Sequence, residues 1–100
     1  MQDLNDLYYF SQVVEQGGFS AAARALDIPK SRLSRRISHL EESLGVRLLQ
    51  RTTRRLRLTS AGERYLHYCR EMAASARAAD DAMRQSVSYT HLRAHETSLH

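Results

Sequence analysis

Cysteine, proline and long apolar stretches are all scarce in this 100-residue sequence. The single cysteine, Cys69, excludes an internal disulfide framework and fits a reducing cytoplasm. No apolar run approaches about twenty residues, so we expect neither a signal peptide nor a membrane span. These absences predict a soluble cytoplasmic protein, and the 42% hydrophobic content suffices for one small domain with an extended helix.

The sequence also lacks the patterns that support catalysis. It has no glycine-rich phosphate loop, no acidic pair with the spacing of a catalytic pocket and no cysteine set for zinc. His91 and His95 are four residues apart and can share a helical face, but such a pair without further ligands is a weak metal signal. We therefore predict that the protein is not an enzyme and that it has no catalytic, cofactor-binding or metal-ligating residue.

The segment from Pro29 to Gly45 predicts an amphipathic helix, called the reading helix here. Four apolar side chains recur at helical spacing and face a core. At about 100° per residue, the opposite side collects serine and arginine side chains with no long apolar group among them. An α-helix fits the major groove of B-DNA, where base edges accept hydrogen bonds from such side chains. The apolar stripe consists of Leu33, Ile37, Leu40 and Leu44.

A shorter helix precedes the reading helix. Ser20 is its predicted N-cap, Ala22, Ala23 and Leu26 lie on one side, and the chain leaves the helix at positions 27–29. About three residues then join the two helices, which is the connection of a helix-turn-helix. Small alanine side chains suit it because they let the two helices cross closely. Proline is tolerated only in the first turn of a helix, so the reading helix begins at position 29 or 30.

After Gly45 the periodicity changes from helical to alternating. Leu56 and Leu58 alternate with arginine and threonine, a half-buried strand pattern, and Arg51 to Arg54 supply a polar turn. The prediction is a short two-stranded hairpin, or wing. Residues 28–57 hold nine lysine or arginine residues against two glutamates, whereas the remainder of the chain is net acidic. This segregation of positive charge favours a polyanionic partner.

Two further helices flank this central region. The first spans about Asp3 to Gln16, with Leu4, Leu7, Phe10 and Val14 on one side, and is interpreted as scaffold. The last begins with a capping box of Ser60 and Glu63 and runs to about position 84. Its thin apolar seam predicts pairing with a second subunit, although the helix can instead pack back on its own domain. The seam consists of Leu66, Cys69, Met72, Ala73, Ala76, Ala79 and Met83.

The pattern over residues 3–86 resembles the amino-terminal DNA-binding domain of bacterial LysR-type transcriptional regulators. The resemblance is specific because it is long and includes both helices of the helix-turn-helix, the wing and the start of the last helix. The matching positions are Leu7, Phe10, Gly17, Phe19, Ala22, Ala23, Leu26, Ser34, Arg35, Ile37, Leu40, Glu41, Leu44, Gly45, Leu48, Leu49, Arg51, Thr52, Leu58, Thr59, Ala61 and Gly62.

By this resemblance, the reading helix carries the base contacts, the wing holds the flanking minor groove or its phosphates, and the last helix is a linker that pairs antiparallel in a homodimer. The dimer is expected to bind an interrupted inverted repeat in double-stranded DNA. The predicted DNA-binding residues are Ser20, Pro29, Lys30, Ser31, Arg32, Ser34, Arg35, Ser38, Arg51, Thr52, Thr53, Arg54 and Arg55.

One position departs from the family pattern. Many members begin the reading helix with a Ser-Gln-Pro type of sequence, whereas this chain has Pro29, Lys30 and Ser31. A lysine there favours guanine or a phosphate, while a glutamine reads an adenine edge. The base preference of relatives that carry the glutamine therefore does not transfer to this chain.

The predicted fold is mainly α, a winged helix-turn-helix of three helices and a short β-hairpin wing, followed by a long linker or dimerisation helix. Residues 1–58 form the DNA-binding domain, residues 59–86 the linker helix, and residues 87–100 an atypical tail that we expect to be non-native or disordered. In the family the linker leads into an effector-binding domain. A small-molecule effector is thus expected only for a full-length protein. RNA polymerase is a further candidate partner, which the sequence neither indicates nor excludes.

The predicted function is sequence-specific binding of double-stranded DNA as a LysR-type regulator, in the bacterial cytoplasm and at the nucleoid. The alternative is a helical protein-interaction and dimerisation module whose DNA affinity is only non-specific.

Overall fold

The computed structural model describes the backbone of residues 2–52 and 55–98, and the side chains of residues 2–52 and 55–87. Three short helices are followed by a two-stranded hairpin and one long helix, which confirms the predicted fold class. The elements are α1 (Leu4–Glu15), α2 (Phe19–Leu26), α3 (Lys30–Leu44), β1 (Leu49–Arg51), β2 (Leu56–Leu58) and α4 (Ser60–Ser98).

Helix α1 begins where the carboxylate of Asp3 accepts a 2.8 Å hydrogen bond from the backbone N–H of Asn5. Its buried face centres on Phe10 and Val13, which are fully inaccessible, whereas Leu4 is 51% exposed. The predicted stripe was wrong at this residue because spacings of three drift around a helix. At about 100° per residue, Leu4 lies about 120° from Phe10.

Helix α2 begins two residues earlier than the predicted cap allows. Gly18 occupies the N-cap without a side-chain hydrogen bond, and its carbonyl accepts from the backbone N–H of Ala22 at 3.1 Å. Ser20 therefore lies inside the first turn and is not the cap. The helix ends at Asp27, whose φ of 55° is left-handed, and the next N–H, from Ile28, returns to the carbonyl of Ala23 at 3.1 Å. This tight closure turns the chain into α3.

Helix α3 has the predicted bounds. Pro29 is its N-cap, and Gly45 ends it with a left-handed φ of 71°. Glycine adopts this conformation without steric cost, so the helix stops here. Leu33, Ile37 and Leu40 are buried, in agreement with the predicted apolar stripe.

Strands β1 and β2 form the predicted antiparallel hairpin. Leu49 pairs with Leu58, and Arg51 pairs with Leu56. The sequence pattern placed Arg51 in the turn. In the structure, Arg51 is instead the last residue of β1. Leu49 is 1% exposed, which anchors the base of the hairpin in the core.

Helix α4 is capped by Thr59, which corrects the predicted capping box. The Thr59 hydroxyl accepts from the backbone N–H of Gly62 at 2.9 Å and donates to the carbonyl of Arg47 at 2.6 Å. The backbone N–H of Glu63 donates to the carbonyl of Thr59 at 2.9 Å. Thr59 lies between β2 and α4, so its hydroxyl contacts both Arg47 before β1 and Gly62 in the first turn of α4.

The chain divides into two units, residues 1–70 and 71–100. The first unit includes the start of α4, so its boundary lies beyond the predicted one at position 58. The second unit consists of the rest of α4, whose backbone stays helical to Ser98. The backbone is helical over residues 87–98, which extends the helix beyond the predicted end near position 84. The expectation that residues 87–100 are non-native or disordered stays a prediction.

The core of the first unit lies among α1, α2, α3, the base of the hairpin and the start of α4. Within the described residues, no helix combines the length and apolar content that a membrane span requires. The buried apolar residues are Phe10, Val13, Ala22, Ala23, Leu33, Ile37, Leu40, Leu48, Leu49, Leu66 and Cys69.

Candidate nucleic-acid interface

The amino-terminal half of α3 presents a polar and basic face to solvent. Lys30, Ser31, Arg32 and Arg35 are exposed, and Ser34 is half-buried. The first turn carries no acidic residue and no side chain caps its free N–H groups. A helix start of this kind attracts anions, because the backbone N–H groups and the helix dipole both favour negative charge.

A groove joins this face to the hairpin. Its walls come from the start of α2, the start of α3 and both strands, so residues distant in sequence meet on one concave surface. Six of the predicted DNA-binding residues line it, and we call it the basic groove. These six are Ser20, Lys30, Ser34, Arg51, Thr52 and Arg55.

The hairpin side of the groove carries exposed polar side chains. Arg55 and Thr52 are exposed, and the Thr52 hydroxyl donates to the carbonyl of Arg55 at 2.8 Å, which orders the edge of the turn. Thr53 and Arg54, which the sequence also assigned to DNA, lie outside the described residues. The described part of the hairpin is thus polar on its solvent side and apolar at its base.

Arg51 differs from the other basic residues of the groove because its guanidinium is already engaged within the protein. Its Nη2 donates to Ser38 Oγ at 2.9 Å and to Glu41 Oε1 at 3.2 Å. The guanidinium carbon also lies 5.8 Å from the centre of the Phe19 ring. Arg51 and Ser38, which the sequence assigned to DNA contacts, therefore contact each other.

Glu41 is a residue whose position the sequence analysis did not interpret. Its side chain is buried, and Oε2 accepts from the backbone N–H groups of Leu48 at 2.8 Å and Leu49 at 3.1 Å. A helical projection carries the signal that was missed. At about 100° per residue, Glu41 lies only about 40° from Ile37, at the edge of the buried stripe.

Arg36 connects α3 to α1 and not to the exposed face. Its Nε donates to Asp6 Oδ1 at 2.7 Å, its Nη2 donates to Asp3 Oδ2 at 3.3 Å, and its guanidinium lies 5.2 Å from the ring centre of Tyr9. The hydrogen bond to Asp6 raises the pKa of Arg36 above its ordinary value. Arg36 is absent from the predicted DNA-binding residues, and its contacts with α1 agree with that absence.

The predicted dimerisation seam of α4 splits into buried and exposed parts. Leu66 and Cys69 are 5% and 1% exposed, because they pack into the core of their own chain. At these two residues the helix packs on its own domain, as the alternative interpretation of the helix has it, while the subunit contact through the seam stays a prediction. Met72 and Ala73 are partly buried, whereas the remaining three seam residues are exposed. These three are Ala76, Ala79 and Met83.

No cluster of three or more metal-ligating side chains occurs among the residues whose side chains are described. The side chains of His91 and His95 lie outside that part of the chain. The polar chemistry that is described consists of hydrogen-bond donors and positive charge on an open surface, which suits contact with a polyanion.

Comparison with known proteins places this surface in context. The family model for bacterial regulatory helix-turn-helix proteins, lysR family, matches residues 4–63. An HTH-type transcriptional regulator of Xanthomonas campestris pv. campestris (strain 8004) is 49% identical over 86 residues, which cover 86% of this chain and 25% of that protein. The chain thus spans about a quarter of the length of the curated relatives it matches.

Two similar solved structures contain DNA. The crystal structure of the BenM DBD in complex with benA site 1 DNA has a TM-score of 0.81 at 33% identity, covering 87% of this chain and 98% of that chain. The CbnR DBD–DNA complex has a TM-score of 0.76 at 34% identity, covering 86% of this chain and 99% of that one.

Proposed function

Because this chain belongs to the lysR family of bacterial regulatory helix-turn-helix proteins, we propose that it binds double-stranded DNA sequence-specifically as a transcriptional regulator. The observation that supports the proposal most is the basic groove, which sets the start of α3 beside the hairpin on one open, positively charged surface. DNA in the BenM and CbnR complexes makes duplex DNA the natural occupant of this surface.

In this proposal the amino-terminal half of α3 enters the major groove. Ser31, Arg32 and Arg35 are exposed there and donate to base edges, for which arginine and guanine form the strongest pair. Lys30 and Arg55 face the phosphates on either side, where contacts fix the register without reading sequence. The chain thus divides base readout from backbone grip.

We further propose a homodimer that forms through α4. Ala76, Ala79 and Met83 are exposed in one chain and share one side of the helix. Small side chains allow a second helix to approach closely, and a two-fold axis makes one face sufficient for both subunits. Two reading helices about one helical turn of DNA apart then require an interrupted inverted repeat. This activity belongs to the cytoplasm, at the nucleoid.

The test is selection of bound duplexes from a random library at two salt concentrations, with the oligomeric state followed by light scattering. Enrichment of an interrupted palindrome, bound by a dimer, is the expected result. Salt-sensitive binding without enrichment would contradict sequence-specific recognition and leave only attraction to the DNA backbone. Absence of binding would favour the alternative, a protein-interaction module in which α4 is the functional surface.

A further inference from the structure

One buried carboxylate joins the reading helix to the wing. Glu41 lies in the last turns of α3 and accepts three hydrogen bonds, two from backbone N–H groups at the start of β1 and one from Arg51 at its end. Arg51 extends the connection to Ser38 and to the ring of Phe19. We call Glu41, Arg51, Ser38 and Phe19 the wing tie.

Thr59 binds the start of the hairpin from the side opposite to the wing tie. The backbone N–H of Thr59 donates to the carbonyl of Leu48 at 3.0 Å, and the Thr59 hydroxyl donates to the carbonyl of Arg47. In the segment 47–49, the N–H groups of Leu48 and Leu49 therefore point to α3. The carbonyls of Arg47 and Leu48 point to Thr59, directly before α4. With both sets of backbone groups satisfied, these polar contacts add direction to the burial of Leu48 and Leu49 and so help to fix the orientation of the hairpin on α3.

Both ends of the tie are engaged in contacts within the protein. Glu41 is 6% exposed and carries a negative charge, which repels the DNA backbone. The guanidinium of Arg51 makes three contacts within the protein, and these fix its orientation between α3 and the hairpin. Arginine suits such a site because its planar fork can bond two acceptors while its face covers an aromatic ring.

Resting on the proposed DNA-binding function, we infer that Glu41 and Arg51 are positioning residues that hold the wing at the angle at which α3 and the hairpin engage one duplex. Arg51 thereby acts on DNA binding through the orientation of the wing. This changes its sequence-based assignment, while Arg55 keeps the backbone role.

The sign of a charge change provides a sharp test. Removal of an acidic residue near a DNA-binding surface strengthens binding if only long-range electrostatics matter. Glu41→Gln keeps a side-chain oxygen for the two backbone N–H groups but turns an amide toward Arg51, which breaks the ion pair. If Glu41 positions the wing, this substitution weakens binding despite the more positive protein.

Glu42→Gln is the matched control, because it makes the same charge change at the neighbouring, exposed position of α3. Dissociation constants are measured on the duplex enriched by selection, with thermal unfolding monitored by circular dichroism. We expect Glu41→Gln to bind roughly tenfold more weakly than wild type, and Glu42→Gln to bind equally or more tightly. A folded Glu41→Gln protein that binds as tightly as Glu42→Gln would overturn the inference.

A charge-conserving pair tests the other end of the tie and guards against misfolding of the Glu41 variant. Arg51→Lys retains the positive charge but cannot make all three contacts, so we expect about tenfold weaker binding with an unchanged salt dependence. Arg57→Lys is the control, because Arg57 is exposed on β2 of the same hairpin and does not line the basic groove. It is expected to bind as wild type does. Near-wild-type binding by Arg51→Lys would overturn its positioning role.

The failure of this inference and that of the proposed function are distinguishable. A wild-type protein that binds no duplex refutes both. A wild-type protein that binds its selected duplex, together with Glu41 and Arg51 variants that bind as their controls do, refutes only the positioning role.

Discussion

Two titratable side chains, Tyr65 and Cys69, lie one turn apart on the part of α4 that packs into the core. The ring of Tyr65 meets Phe10 edge-on with centroids 5.7 Å apart, and Cys69 is 1% exposed. Burial raises the pKa of Tyr65 to about 12, with smaller contributions from Cys69 and Asp6. Burial likewise raises the pKa of the Cys69 thiol to about 11. Both side chains are therefore neutral in the folded domain at physiological pH.

This burial makes the domain sensitive to alkali. The folded pKa values exceed the ordinary values of 9.0 for cysteine and 10.0 for tyrosine, so the stabilisation is complete below about pH 9. It is lost as pH rises toward 11 and 12, with a contribution of about 2 kcal/mol from the fully buried thiol. Urea unfolding from pH 8 to 11.5 is expected to show a falling midpoint above pH 9.

The Tyr65→Phe variant separates the two groups, because it removes the phenol and should flatten the upper part of this decline. Tyr68→Phe, at a position that is 63% exposed, serves as the control and should follow wild type. An unchanged decline in Tyr65→Phe would show that the phenol does not contribute.

At the residue scale, sequence periodicity identified which side chains of α3 are exposed, but it did not identify which residues they bind. Lys30 and Arg35 were predicted on an open face, and they lie there. Arg36 and Arg51 look the same in sequence, yet each bonds to an acidic residue 30 or 10 positions away. Such pairings depend on how separate elements meet in space, which periodicity within one element does not encode.

Close backbone approach between elements determines one glycine of α4. A side chain at Gly62 would overlap the backbone carbonyl oxygen of Leu48 and lie 3.1 Å from Leu58 Cδ2. Because the carbonyl belongs to the main chain, it cannot move without displacing the base of the wing. Gly62 therefore permits the contact that seats the hairpin on the start of α4.

We predict that Gly62→Ala lowers the free energy of unfolding by about 3 kcal/mol, as an overpacked site does when backbone must shift. Gly45→Ala is the comparison, since its φ of 71° is strained for alanine but no atom lies within 4 Å of an added Cβ. Its expected cost is about 1 kcal/mol. Urea denaturation checks both, and equal losses would contradict the role of the Leu48 contact.

At the element scale, the elements that sequence predicted best carry their own start and stop signals. Helix α3 lies between Pro29 and Gly45, and both bounds were predicted. The start of α4 was misplaced by one residue because threonine and serine at positions 59 and 60 are both good caps. The Thr59 hydroxyl bonds Arg47 as well as Gly62, a contact between separate elements that periodicity does not show. The end of α4 was also misjudged, since no glycine or proline marks it.

At the scale of the whole molecule, charge and helix surface are divided along the chain. Nine basic residues fall within positions 28–57, whereas the exposed part of the α4 seam carries only small or apolar side chains. In the proposed dimer, the basic segment faces the DNA and the seam faces the helix of a second copy. Because one reading helix contacts only a few base pairs, the proposed selectivity depends on joining two of them through this seam.

The proposed contact between the α4 seams of two subunits can be tested by one substitution. Ala79→Arg places a long charged side chain on the exposed seam, where close helix approach is proposed, so we expect a monomer in light scattering. A monomer contacts only one half-site, so its binding to the interrupted palindrome should be at least about 100-fold weaker. Its affinity for an isolated half-site should stay unchanged or rise. Ala78→Arg makes the same change about 160° around the helix from Ala76 and should leave the dimer intact. If Ala79→Arg still dimerised and bound the palindrome as Ala78→Arg does, the seam would not be the subunit contact.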